Sequence, residues 1–186
     1  MADDGQLIDD QYKIVESVAS GSSSQVLEVV EKGSTRHLAM KLLKKDVPEF
    51  KENKVKMKFE AEVMKNLDHP LIVKFEKFVS NRDNTYILME YFRAANLKLQ
   101  IKSYTNQVHL KIRPLFESVC TALSHVHQRG FIHRDIKPDN IMIERTDNNP
   151  VLIDLGAAIV LGEEEKSGVP IVTSGFSPPE QYIPRT

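Results

Sequence analysis

The residues His133-Arg134-Asp135-Ile136-Lys137-Pro138-Asp139-Asn140 crowd carboxylates, cations, an amide and a proline between two apolar segments. Polar groups so densely placed between buried elements need partners, because an unpaired one removed from water is costly. A further acid, Asp154, follows in Val151-Leu152-Ile153-Asp154-Leu155-Gly156. The turn-forming run Thr146-Asp147-Asn148-Asn149-Pro150 makes a hairpin of its flanks and returns Asp154 close to Asn140. A carboxylate beside an amide oxygen is the hard, sparse ligand set that magnesium takes when phosphates complete its shell. Upstream, Lys41 stands among apolar neighbours, Glu60 lies on an apolar helical stripe, and Ser20-Gly21-Ser22-Ser23-Ser24 is a turn of small residues. Phosphoryl transfer asks for these parts: a cation and a metal for the phosphates, a carboxylate to orient a hydroxyl, and positive charge for the transferred group.

Each group depends on an element to place it. Tyr12 to Ala19 and Gln25 to Glu31 read as strands around the small-residue turn, whose backbone N–H groups can approach an anion closely. A plain hairpin turn accounts for the same residues. His37 to Leu43 is a third strand, with Leu38, Met40 and Leu42 on one face and Ala39, Lys41 and Leu43 on the other. Lys41 there either snorkels from an edge or meets a fixed anion. Lys51 to Leu67 is helical, with Phe59, Val63 and Leu67 as its stripe, Met64 widening it, Glu60 inside it and Glu62 pointing away. Glu60 is a boundary residue reaching solvent or the partner of Lys41. Asp68-His69-Pro70 ends the helix.

Leu71 to Phe78 and Thr85 to Tyr91 are two more strands. Beyond Phe92 the pattern turns helical: Asn96 to Tyr104 is short, and Ile112 to His127 is longer, with Leu115, Val119, Ala122 or Leu123, and Val126 inward. Pro114 suits its first turn and Gly130 its stop. Ile141 to Glu144 and Val151 to Asp154 are short strands.

A chain of 186 residues, 41% hydrophobic and 27% charged, suits one soluble domain or two small lobes. The formal net charge of −1 provides no field toward nucleic acid or an anionic membrane, and no apolar run reaches spanning length. Met-Ala-Asp-Asp-Gly lacks a signal-peptide core, and the single Cys120 builds no internal disulfide framework. An intracellular, cytoplasmic protein is expected, with the nucleus left open. Residues 1–11 read as a flexible acidic tail. Zinc is disfavoured, since His125 and His127 point about 200° apart on a helix. No Gly-x-x-x-x-Gly-Lys-Ser/Thr loop or Gly-x-Ser-x-Gly elbow is present.

The eight-residue run, Asp154-Leu155-Gly156 and Pro178-Pro179-Glu180 together resemble the catalytic loop, metal-binding motif and activation-segment end of eukaryotic-type protein kinases of the serine/threonine class. Leu38-Ala39-Met40-Lys41 is similar to that family's Val-Ala-Ile-Lys strand, and Glu60 stands nine residues before His69 as its pairing glutamate does. The resemblance implies an α+β, two-lobe fold: an antiparallel lobe with one main helix and its hinge over 12–92, then part of a mainly helical lobe over 93–186. It implies ATP and magnesium as cofactor set and a protein as substrate. Asp135 would be the catalytic base and Lys137 the contact to the transferred phosphate, with Asn140 and Asp154 on the metal. Lys41, fixed by Glu60, would hold the ATP phosphates. Ala19, Ser20, Gly21, Ser22, Ser23, Ser24 and Val26 would cover the nucleotide. Ala39, Met89, Glu90, Phe92 and Met142 would surround the base, with Glu90-Tyr91-Phe92 as the hinge. Thr173 takes the threonine position before Pro-Pro-Glu, and Arg134 implies control through the activation segment, at Ser167 or Thr173.

Three departures from the family pattern stand out. Ala19 and Ser24 replace the first and third glycines of the loop, and Leu155 replaces a phenylalanine. The family also continues past this point with helices that support the catalytic loop, so the resemblance implies a chain holding only part of the larger lobe. The rival reading is a catalytically impaired, ATP-binding interaction module.

Overall fold

A computed structural model describes residues 6–101, 108–144, 149–162 and 172–182. The chain divides into two compact units, Met1–Lys65 with Lys74–Phe92, and Asn66–Val73 with Arg93–Thr186. Tyr104, Thr146 to Asn148, the glutamate run Glu163-Glu164-Glu165 and Ser167 lie outside the described residues.

β-Branched and alternating segments build the first unit's sheet. Its strands are β1 (Leu7–Ile8), β2 (Tyr12–Ser20), β3 (Ser24–Glu31), β4 (His37–Leu43), β5 (Phe75–Ser80) and β6 (Thr85–Glu90). They pair antiparallel in the order β1-β2-β3-β4-β6-β5. Tyr12, Ile14, Leu27, Val29, Leu38, Met40, Tyr86 and Leu88 form one buried cluster. Leu38 and Met40 belong to one face of β4, as the alternation requires. The lone helix described in this unit, α1 (Phe50–Lys65), packs on β4, β5 and β6. Glu52 in its first turn and Lys65 in its last complement the helix dipole.

The buried side of α1 is Met57, Glu60, Ala61, Val63 and Met64, whereas Phe59 is 39% exposed. Val63, Leu67, Met64 and Glu60 are buried as expected, and only Phe59 gives way, its side of the stripe rotated toward Met57. An ammonium left without a partner beside β4 costs more than a partly exposed ring, so the Glu60 contact sets the rotation.

Two further segments differ from expectation. Leu7–Ile8 adds a strand to β2, with Ile8 buried. Asp9 accepts hydrogen bonds from Asn81 Nδ2 (2.9 Å), Asn84 Nδ2 (2.6 Å) and the Tyr86 hydroxyl (2.9 Å). Residues 6–11 are thus part of the sheet rather than of a free tail. β5 starts at Phe75, because Leu71 to Val73 belongs to the second unit. There Leu152 N–H donates to Leu71 O (2.8 Å), and Val73 N–H donates to Leu152 O (2.9 Å).

The second unit holds β7 (Ala95–Asn96), α2 (Leu97–Ile101), α3 (Val108–Gln128), β8 (Phe131–Ile132), β9 (Ile141–Ile143), β10 (Pro150–Leu152) and β11 (Ile159–Val160). β10, β9 and β7 form one sheet, and β11 pairs with β8. Asn96 ends a strand and caps α2, its Oδ1 accepting from Leu99 N–H at 3.1 Å, so the helix is shorter than the expected span from Asn96. α3 begins at Val108, which places Pro114 inside the helix rather than in its first turn. The Leu110 carbonyl consequently lacks its usual donor. Val119, Ala122 and Val126 are buried, and the chain leaves the helix through Gly130 at φ +80°. Among the described residues no helix is long and apolar enough to cross a membrane.

Candidate active site

In the first unit, β4 places Lys41 opposite Val26 of β3 and Ile87 of β6. Its cross-strand neighbours are apolar, and the ammonium reaches α1. Lys41 Nζ donates to both carboxylate oxygens of Glu60, at 2.6 and 2.9 Å. The side chains are 16% and 5% exposed, so the pair is largely desolvated and each charge holds the other. Ala39 and Met89 face each other two pairs along the same ladder and are both buried. Glu90 ends β6, and Tyr91 and Phe92 follow outside the ladder.

The small-residue turn is tight: Gly21 N–H donates to Ser24 O at 2.9 Å. Ala19, Ser20, Gly21 and Ser22 are exposed, and Ser23, Ser24 and Val26 are half-buried. A Cβ added at Gly21 would meet only Ser24 O, at an ordinary 3.5 Å. The turn's own conformation therefore tolerates serine in place of glycine. Lys44 Nζ donates to Gly21 O at 2.5 Å, and Lys44 N–H to Ser23 O at 2.9 Å. No local pattern signals that clamp, since Lys44 is one of two adjacent lysines after β4.

In the second unit, the 3-10 turn Pro138–Asn140 follows the loop and feeds directly into β9. Asp135 is the centre of a convergent set. Its Oδ2 accepts from Lys137 Nζ (2.6 Å) and Asn140 Nδ2 (2.8 Å), and its Oδ1 accepts from the Thr173 hydroxyl (2.7 Å). Asn140 Nδ2 also reaches Asp135 O at 2.9 Å, and Lys137 lies 3.3 Å from Thr173 Oγ1. Burial pushes the Asp135 carboxyl up, but the bonds from Lys137, Thr173 and Asn140 outweigh it and hold it below the usual range. Asp135 is therefore an ionised, oriented acceptor.

The β9–β10 ladder pairs Ile141 with Leu152 and continues through Ile153 N–H to Asn140 O at 2.9 Å. Asn140 and Asp154 thus flank one end of that ladder, as the hairpin pattern requires. Met142 sits half-buried in β9, opposite Val151 and Asn96. Asp154 is exposed at φ +61°, and Arg134 stands at φ +65°. Backbone in this region costs a non-glycine residue about 1–3 kcal/mol and clusters at functional sites. Arg134 is held there by Nε donating to Ala157 O (2.8 Å) and by Gln181 Nε2 donating to Arg134 O (3.1 Å). Gln181, just past Pro-Pro-Glu, was not singled out from sequence, since no local pattern signals a contact 47 positions away. His133 is buried, and its Nδ1 accepts from Asp135 N–H at 3.3 Å; burial lowers its pKa and keeps the ring neutral.

These motifs, in this order and on these elements, define a class. A family model described as the protein kinase domain matches residues 12–183, and the chain belongs to that family. It is 28% identical over 171 residues to the serine/threonine-protein kinase AtPK1/AtPK6 of Arabidopsis thaliana, covering 92% of this chain and 37% of that protein. It is 30% identical over 167 residues to the serine/threonine-protein kinase PknD of Chlamydia pneumoniae, covering 84% and 18%. Sperm motility kinase 2B of Mus musculus is 29% identical over 175 residues, covering 94% and 35%. The chain spans well under half the length of these relatives.

Proposed function

We propose that this chain binds ATP with magnesium and transfers a phosphoryl group to serine or threonine side chains of protein substrates. The observation that carries the reading is the Asp135 carboxylate, held ionised between Lys137, Asn140 and Thr173. An acceptor so placed takes the proton of a substrate hydroxyl and orients its oxygen. Lys137, bonded to the same carboxylate, supplies positive charge for the phosphoryl group as it moves. Lys41, paired with Glu60, holds nucleotide phosphates. The turn Ala19 to Ser24 offers backbone donors to them, and Val26, Ala39, Met89, Glu90 and Phe92 take the base.

The donor chemistry suits magnesium. Asn140 commits its amide nitrogen to Asp135, which leaves Oδ1 as its metal-facing atom, and Asp154 adds an exposed carboxylate. When bound, the ion neutralises phosphate charge. Lysine two positions after Asp135 and the Thr173 contact favour serine or threonine, as does the likeness to serine/threonine-protein kinases of a plant and a bacterium. The near-neutral net charge and lone Cys120 suit a cytoplasmic protein substrate rather than nucleic acid. The reading is tested by incubating the chain with ATP, magnesium and matched peptides carrying serine, threonine or tyrosine. Label in the serine and threonine peptides is expected; label confined to tyrosine, or present without magnesium, contradicts it.

A further inference from the structure

Glu28 is a buried carboxylate with no part in the reactions described above. Its side chain is 3% exposed, and it lies opposite Ala39 in the β3–β4 ladder, with Ala39 in turn opposite Met89. A carboxylate buried there requires partners. His37 Nδ1 contacts Glu28 Oε1, and Glu16 of β2 is its cross-strand neighbour. The Tyr91 hydroxyl lies 3.5 Å from Glu16 Oε1 and also bonds to Glu28. The Tyr91 ring stacks on His37, with centroids 6.3 Å apart and planes at 30°. Burial raises the Glu28 carboxyl, but the bonds from Tyr91 and His37 prevail and leave it lowered, hence ionised and accepting.

Side chains from β2, β3 and β4 thus converge on one residue just past the end of β6. Tyr91 has left the ladder, so its backbone is no longer held by strand pairing, and side-chain contacts take over that task. We propose that Glu16, Glu28 and His37 form a latch that positions Tyr91 and, through it, the flanking Glu90 and Phe92 backbone that reads the nucleotide base. The inference rests on the nucleotide-binding reading above and names the positioning residues of that same site. A latch of this kind governs which base is accepted; the phosphates are held elsewhere, by Lys41. Loss of the latch lowers ATP affinity and erodes the preference for ATP over GTP.

The test is calorimetric titration of magnesium-ATP and magnesium-GTP into the chain and into Tyr91→Phe and Glu28→Gln. Tyr91→Phe keeps the ring on His37 and removes only the hydroxyl. Its ATP affinity should fall roughly 3- to 10-fold, the range one hydrogen bond supports, with GTP affinity changed by less than about 2-fold. Glu28→Gln should move in the same direction; if it fails to fold, Tyr91→Phe carries the test alone. Wild-type binding of ATP with unchanged ATP and GTP affinities in Tyr91→Phe overturns the latch and leaves nucleotide binding standing. Equal losses for both nucleotides, together with a lowered unliganded melting temperature, make the cluster merely structural and also overturn it. A wild-type chain that binds neither nucleotide overturns the nucleotide reading and the latch with it.

Discussion

Lys41 and Glu60 form the pair whose removal separates stability from chemistry most cleanly. Lys41→Met leaves Glu60 buried without its cation, which should destabilise the first unit by about 3–5 kcal/mol in chemical denaturation. Pairing it with Glu60→Leu should recover most of that loss, because two apolar groups of similar volume replace the ion pair. Phosphotransfer should stay depressed by about 100- to 1000-fold in both, since the phosphate-holding charge is absent either way. Recovery of activity in the double variant would contradict the role assigned to Lys41. Thr173 acts on Asp135 through a 2.7 Å bond that stabilises the ionised carboxylate. Thr173→Ala should therefore raise the Asp135 pKa and move the acid limb of the pH–rate profile upward, while Thr173→Ser should leave it in place. An acid limb unmoved in Thr173→Ala would show that the hydroxyl does not tune the carboxylate.

Among the elements, β4 was legible to its ends, because turn residues precede its apolar run, whereas the choice between solvent and Glu60 as the outlet for Lys41 came only with the fold. The rotation of α1 was not legible. Phe59 looks like the anchor of an apolar stripe until Glu60 must face Lys41, and that decision belongs to the tertiary pairing rather than to the helix sequence. Leu71 to Val73 reads as strand, and Ile72 and Val73 are buried, but its backbone partner is Leu152, about eighty positions away, which no local pattern announces. β1 was hidden because two residues show no periodicity. What fixes it is Asp9, whose carboxylate gathers Asn81, Asn84 and Tyr86. Asp9→Ala should cost about 1–3 kcal/mol by stranding those donors. Hydrogen exchange should quicken in β1 and in the turn between β5 and β6; protection equal to wild type there would mean that β1 is held by its ladder alone.

For the molecule as a whole, the candidate site was legible because Lys41, Glu60, Asp135, Lys137 and Asn140 are polar residues at positions where burial demands a reason. Asp135, Lys137, Asn140 and Thr173 form one connected set, Thr173 having been expected only from the family resemblance, whereas the Glu28 and Lys44 contacts emerged only from the fold. The second unit should also be sensitive to acid. Burial lowers the pKa of His133, and burial with the nearby His125 lowers that of His69. The unfolded chain then binds more protons than the folded one as pH falls through the ordinary histidine range near ~6.5, so stability is present above it and lost below. Protection in α3 and β9 should fall between pH 7.5 and 5.5, and flat protection over that interval would contradict neutral buried histidines. The most direct measurement is the rate of phosphate transfer from ATP–magnesium to a serine or threonine peptide by the chain and by Asp135→Ala. The account predicts transfer by the wild type and a loss of about 100- to 10,000-fold in the variant, with ATP affinity retained; equal rates in the two, at any level, would contradict it.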